Sequence, residues 1–205
     1  MSKLVLASGS PRRREIMSKE GHEFVIIKAE GEEYSDAETS SEYVSDLSRD
    51  KGMEVYGKVC GHEAEYGLEV TDGEAVFILA ADTVVSLDNK NLGKPSSEEE
   101  AARMIRSIAG RSHSVYTGVT IVKYVAGSEG YVVKTFFDET LVHVKSLTEQ
   151  EIADYVSLGE CMDKAGAYAI QGEFGQYIEG FEGDYRNVVG LPYEKVYDAL
   201  KELDY

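Results

Sequence analysis

Leu4-Val5-Leu6-Ala7-Ser8-Gly9-Ser10-Pro11-Arg12-Arg13-Arg14 decides how the chain is read. The apolar run from Leu4 to Leu6 predicts a short buried strand, Ser8-Gly9-Ser10 a tight turn, and the residues after it a helix. Ser10 suits the N-cap and Pro11 the first helical position, where a missing N–H costs nothing. Three arginines then fall in or beside the first turn, against a helix macrodipole that favours negative charge there. A bound anion removes the conflict, because free backbone N–H groups, two serine hydroxyls and planar guanidinium forks would all serve phosphate oxygens. A solvated basic helix start is the plainer alternative. Strand, glycine turn, Ser-Pro cap and arginines together favour the anion site.

The chain has 205 residues, enough for one domain with a substantial core, and a globular composition with 42% hydrophobic residues. Its 38 acidic and 21 basic residues give a formal charge of −17. Such a surface repels nucleic acid polymers and anionic membranes, so the cluster at Arg12 to Arg14 stands out as focused positive charge. No apolar run approaches membrane-spanning length. The N-terminal run is too short for a signal peptide and leads into arginines rather than a cleavage site, which points to a cytoplasmic protein. Cys60 and Cys161 match no metal spacing and are expected to be reduced thiols. His22, His62, His113 and His143 are scattered, so no zinc site is expected.

Beyond the first helix, which is expected to stop at Gly21, Phe24-Val25-Ile26-Ile27 reads as a second short buried strand. It leads into the acidic turn Glu30-Gly31-Glu32-Glu33. A helix is expected from Glu42 to about Val59. Val44, Leu47 and Lys51 share its apolar stripe, so Lys51 either snorkels to the rim or reaches into a cleft. Residues 57–74 are acidic, irregular and the least readable part. Ala75-Val76-Phe77-Ile78-Leu79-Ala80-Ala81 reads as a strand buried on both faces, with Asp82 at its end. A carboxylate in so apolar a setting is expensive unless paired or metal-bound. Asp82 is therefore either a structural acceptor of turn amides or a metal ligand or general base.

Asp88 to Asn91 reads as a hairpin turn, and Lys94 is fixed between Gly93 and Pro95. Ser96 with Glu99, or Ser97 with Glu100, makes a capping box for a helix burying Ala101, Met104, Ile105 and Ile108. Residues 111–122 and 131–144 form a long antiparallel hairpin turned at Gly127 to Gly130. Thr148 with Glu151 starts a helix burying Ile152, Tyr155 and Val156, and Pro192 opens the last helix, with Val196, Tyr197, Leu200 and Leu203 inward. Gln171 carries an amide that can donate and accept, as reading a base edge requires, although a turn-stabilising glutamine is commoner.

Six blocks together resemble the signatures of the Maf family of nucleoside triphosphate pyrophosphatases. They are Leu6 to Arg13, Ala81-Asp82-Thr83-Val84-Val85, Gly93-Lys94-Pro95, Gly110 to Val119, Asp163 to Gly172, and Asn187-Val188-Val189-Gly190-Leu191-Pro192. They occur in family order over nearly the whole chain. The resemblance implies one Maf-like domain over residues 1–205 with an α/β fold of Maf/ITPase-like type: a long twisted mixed sheet flanked by helices, two lobes and a central cleft. It implies hydrolysis of a nucleoside triphosphate to monophosphate and pyrophosphate with magnesium or manganese, and a homodimer. Arg12, Thr83 and Gln171 match the subgroup acting on dTTP and UTP. Asp82 resembles the proton acceptor, and Ser8, Arg12, Arg13, Lys51 and Lys94 the phosphate-binding set. Glu33, with Asp82, resembles a metal-associated carboxylate, and Glu32 takes that place if the register slips. The same site also suits a nucleotide-binding regulator of septum formation, or a house-cleaning enzyme for modified nucleotides.

Overall fold

The computed structural model of the protein describes residues 3–205. Its centre is a seven-stranded mixed sheet in the order β2-β1-β3-β5-β6-β7, with β4 also paired to β3. The strands are β1 (Lys3–Leu6), β2 (Val25–Ile26), β3 (Ala75–Leu87), β4 (Lys90–Leu92), β5 (Ser112–Val125), β6 (Tyr131–Val144) and β7 (Ile178–Glu182). The helices are α1 (Pro11–Lys19), α2 (Ser40–Val59), α3 (Glu98–Ile108), α4 (Glu149–Ser157), α5 (Tyr185–Val189) and α6 (Tyr193–Glu202). β1 runs parallel to β2 and β3, and every other pairing is antiparallel. Among the described residues no helix is long and apolar enough to cross a membrane.

The pleat of β3 divides the core. Phe77, Leu79 and Ala81 face α1 and α6, packing with Met17, Leu191, Val196 and Leu200. Val76, Ile78 and Ala80 face the other way, towards α2, with Val55, Val59 and Tyr124. Farther along the strand, Val85 and Leu87 enter a third cluster with Ile105, Ile108, Ile152 and Phe174 from the α3–α4 region. One continuous strand thus serves two lobes. On its outer edge β1 covers residues 76–79 and β4 covers residues 85–87. Between them the edge from Ala80 to Val84 has no strand neighbour among the described residues, and the cleft opens there.

α2 holds unusually close to the sheet. A side chain added at Gly118 would place its Cβ 2.1 Å from the Val44 carbonyl oxygen, and Gly52 likewise lies against Ala80 and Thr120. Ser48 and Thr120 share a buried hydrogen bond of 2.9 Å across this contact. Thr39 caps the helix by accepting the Glu42 N–H.

Several sequence expectations take a different form. Of Phe24 to Ile27 only Val25 and Ile26 pair; they form the sheet's outer edge, with one neighbour strand, and Ile26 is exposed. Asp82 does not end its strand: β5 keeps pairing with β3 through Ser86 and Ser114, which leaves Asp82 in mid-strand. Asp88 and Asn89 make a two-residue turn at φ 51° and 60°, a conformation these two residues tolerate well. Ser97 caps α3, but Glu100 turns to the N–H and hydroxyl of Ser96, so the box is not closed. The Thr148–Glu151 box of α4 is complete. Tyr197 is exposed beneath Lys201, because Val196, Ala199 and Leu200 define the buried stripe of α6 and Tyr197 falls one position off it. The stretch from 57 to 74 ends α2, forms a short 3-10 turn at Glu63–Tyr66 and buries Leu68 on its return.

Gly118→Ala should lower the free energy of unfolding by about 3 kcal/mol or more, because backbone rather than a yielding side chain stands in the way. A urea titration measures this; a loss below about 1 kcal/mol would mean that α2 can retreat without penalty.

Candidate active site

The cleft between the lobes has a volume of about 560 Å³ and is lined by the turn after β1, the start of α1, α2, the open edge of β3, and the Gly93-Lys94 and 163–170 segments. Ser10 caps α1 as expected, accepting the Arg13 N–H, with Pro11 in the first turn. The three arginines that follow behave differently. Arg14 is exposed, Arg12 lines the cleft, and Arg13 turns inward.

Arg13 is a tie between elements. Its Nε donates to the Gly190 carbonyl at 2.8 Å, Nη1 to Ser8 Oγ at 3.2 Å and Nη2 to Thr83 Oγ1 at 3.0 Å. Thr83 Oγ1 shares a 2.9 Å hydrogen bond with Thr117 Oγ1, and Thr117 Oγ1 donates to the Asn187 carbonyl at 3.0 Å. The Asn187 amide in turn donates to the Val115 carbonyl and to Thr140 Oγ1. Burial pulls the Arg13 pKa below the ordinary guanidinium value, and the Asp82 carboxylate pulls the other way. A guanidinium stays charged in such a half-buried place, where its fixed positive potential favours an anionic ligand.

On the opposite face of β3, Asp82 meets α2. Lys51 Nζ lies 2.6 Å from Asp82 Oδ1 and 2.9 Å from Glu33 Oε1, with only 17% of the lysine side chain exposed. The apolar stripe therefore carries Lys51 into the cleft. For Glu33, burial works to raise the carboxyl pKa, but the Lys51 hydrogen bond and the charges of Lys51, Lys94 and Arg13 hold it below the usual carboxylate range. Tyr43 lines the same wall, its phenol pushed up by burial and by the charges of Asp82 and Glu33. Glu33 rather than Glu32 makes the contact with Lys51. Among the described residues Arg12 and Lys94 are in no ion pair, and both line the cleft.

Ser8, Arg12, Arg13, Glu33, Lys51, Asp82, Thr83 and Lys94 are thus brought to one cleft. Gln171 is not: it is exposed and outside the lining, although Tyr168, Ala169 and Ile170 just before it take part. Sequence reasoning did not single out Tyr43, Thr117, Asn187 or Tyr168. The buried polar character of Asn187 had one signal, its place in the block that ends at Pro192. The partnership of Tyr168 with His113 had none. His113 Nε2 lies 2.7 Å from the Tyr168 hydroxyl, and its Nδ1 has no partner among the described residues.

No three His, Cys, Asp or Glu side chains converge among the described residues. Asp82 and Glu33 do converge, through the one ammonium they share. One or two carboxylates completed by substrate phosphate oxygens are what a magnesium-type cation takes, so the residues present fit such an ion.

A family model described as "Maf-like protein" matches residues 3–203, and the chain belongs to this family. Proteins named dTTP/UTP pyrophosphatase resemble it along nearly their whole length. That of Agathobacter rectalis is 45% identical over 204 residues, 99% of this chain and 98% of its own. That of Thermoanaerobacter sp. strain X514 is 44% identical, covering 97% and 95%. That of Thermococcus kodakarensis is 43% identical, covering 98% and 97%.

The two cleft arginines should separate on substitution. Arg13→Met leaves the Gly190 carbonyl and the Thr83–Thr117 pair without their donor and should cost about 3 kcal/mol of stability. Arg12→Met should change stability by less than about 0.5 kcal/mol and act on ligand affinity. Equal destabilisation, measured by urea unfolding, would contradict the division. The buried His113 makes a second expectation. Burial, with a smaller contribution from His143, pushes its pKa down to about 4 from an ordinary 6.5. Between these values the unfolded chain binds a proton that the folded chain refuses. Stability should therefore fall as pH drops from about 6.5 towards about 4, and His113→Asn should flatten that part of the profile. Melting temperatures at stepped pH check it; an unchanged slope would mean that His113 takes up its proton in the folded state.

Proposed function

We propose that this protein is a nucleoside triphosphate pyrophosphatase that hydrolyses dTTP and UTP to the monophosphate and pyrophosphate. The observation that carries the proposal is Asp82, a buried carboxylate in mid-strand that meets the cleft beside Lys51, with Arg12 and Lys94, in no ion pair among the described residues, on the walls. The names and near-full-length similarity of the relatives support the substrate assignment.

In this reading the turn after β1 and the side chains of Ser8, Arg12, Lys51 and Lys94 hold the phosphates, and Arg13 adds its buried charge while fixing the shape of the turn. A polyanion can enter so acidic a protein because positive charge is concentrated at this one place. Asp82 accepts the proton of the attacking water, and its position on a rigid central strand fixes the direction of attack. Most of the acceleration comes from positioning and from charge stabilisation of the transferring phosphorus, since little covalent chemistry is required. Asp82 and Glu33 would hold the divalent cation, magnesium or manganese, which when bound neutralises charge on the phosphate oxygens.

Arg12, Thr83 and Gln171 are the proposed specificity set. Thr83 acts through a hydroxyl already engaged by Arg13 and Thr117, so it shapes the wall rather than offering a free donor. Gln171 would meet the base at the mouth of the cleft, next to Ile170. A homodimer and a cytoplasmic location belong to the same reading; the first rests on the resemblance and the second on the reading of the N-terminal run. Light scattering on the purified protein measures the oligomeric state.

Pyrophosphate release from dTTP, UTP, CTP, 7-methyl-GTP and ITP tests the function. Release should be confined to dTTP and UTP. Asp82→Asn should lower kcat at least a thousandfold while a non-hydrolysable dTTP analogue still binds. Full turnover by that variant would remove Asp82 from the mechanism, and release from ITP or 7-methyl-GTP alone would replace the substrate assignment.

A further inference from the structure

Lys51 stands where a cation has to stand. Its ammonium touches Asp82 and Glu33 at once, at 2.6 and 2.9 Å, and among the described residues neither carboxylate has another ion-pair partner. The lysine leaves α2 one residue before Gly52, which lies against Ala80 and Thr120, so the root of its side chain is held by the packing of helix on sheet. Its four-carbon stem can move. The third carboxylate of the cleft, Asp163, is occupied by Lys164. Five cationic side chains (Arg12, Arg13, Lys51, Lys94 and Lys164) face these three acids along the cleft lining.

This arrangement is hostile to a free divalent metal. Such an ion would have to expel an ammonium from between the two carboxylates and then remain in a cleft of net positive charge. A bound triphosphate reverses both conditions. Its oxygens supply the ligands that two carboxylates leave unfilled, they turn the local charge negative, and they offer the displaced ammonium new partners within reach of its stem.

We propose that Lys51 is a stand-in cation. In the free protein it holds Asp82 and Glu33 together and keeps divalent metal off them; it releases them when the metal arrives with a nucleotide triphosphate, and then moves to the phosphate oxygens. Metal and nucleotide therefore bind with positive coupling, to which displacement of this one side chain adds beyond what the phosphate ligands supply. The inference rests on the reading that Asp82 and Glu33 take a divalent metal, and it adds the order in which they take it.

Manganese binding followed by electron paramagnetic resonance tests both parts separately. Wild type and Lys51→Met, which keeps the stem and removes the charge, are titrated with Mn²⁺ alone and with Mn²⁺ plus α,β-imido-dTTP, with the metal bound by the analogue itself subtracted. Wild-type affinity for Mn²⁺ should rise at least tenfold when the analogue is present. Lys51→Met should bind Mn²⁺ alone at least tenfold more tightly than wild type and show a correspondingly smaller gain when the analogue is added. If wild type without nucleotide binds Mn²⁺ as tightly as the variant, the stand-in role is wrong while the metal site survives. If no sample shows protein-dependent binding, the metal reading falls and the proposal with it. Lys51→Gln repeats the comparison if the methionine variant does not fold, and the wild-type pair of titrations contradicts the proposal by itself if the analogue leaves affinity unchanged.

Discussion

The close packing of α2 against β3 and β5 is the constraint from which the site follows. With Gly118 opposite Asp82 in the ladder and no room for a Cβ against the Val44 carbonyl, the helix axis is set by backbone contact rather than by side chains that can yield. Lys51 then emerges at a fixed height above the strand and can reach Asp82 and Glu33 together. A bulkier residue at 118 would lift the helix and pull the lysine from its partners. A small residue on β5, far from the chemistry in sequence, thus decides whether the charged group assembles.

Arg13 plays the corresponding part on the other face of the same strand. Its guanidinium joins the turn after β1, the middle of β3 and the loop entering α6, and its hydrogen bonds extend through Thr83 and Thr117 to the buried Asn187. A buried cation satisfied by neutral oxygens keeps its charge available to the cleft, whereas a direct carboxylate partner would neutralise it. The two faces of β3 therefore carry different duties. One presents the Asp82 carboxylate to the cleft, and the other presents the frame that keeps the turn after β1 in place.

The edge of β3 explains why the cleft lies where it does. β1 and β4 each cover one end of this edge and leave the middle open, so the two lobes meet over a strand that is continuous beneath them. The odd-numbered residues split between a cluster under α1 and α6 and another under α3 and α4, with Thr83 at the seam. An open stretch between two packed lobes is rigid at its base and accessible from above, which suits a site that acts by positioning.

Much of this was legible in the chain itself. The Ser-Pro cap of α1, the hairpin of β5 and β6 and the Thr148–Glu151 box are local, because the groups that satisfy one another lie within a few residues or repeat with a fixed period. The cost of placing Asp82 in an apolar run marked it as a carboxylate that needs a partner before any partner was known. Tertiary structure alone decided the rest. Asp82 sits in mid-strand because β5 continues beside it, a pairing made across more than thirty residues. Of three adjacent arginines only Arg13 ties Ser8, Thr83 and Gly190 together, since the direction of a helix side chain acquires meaning from what packs against the helix. Glu33 and Lys51 meet, and Gln171 stays outside the cleft, for the same reason. Residue type and spacing fixed which groups were able to act; the distances between them were set by helices and strands that only the folded core brings together.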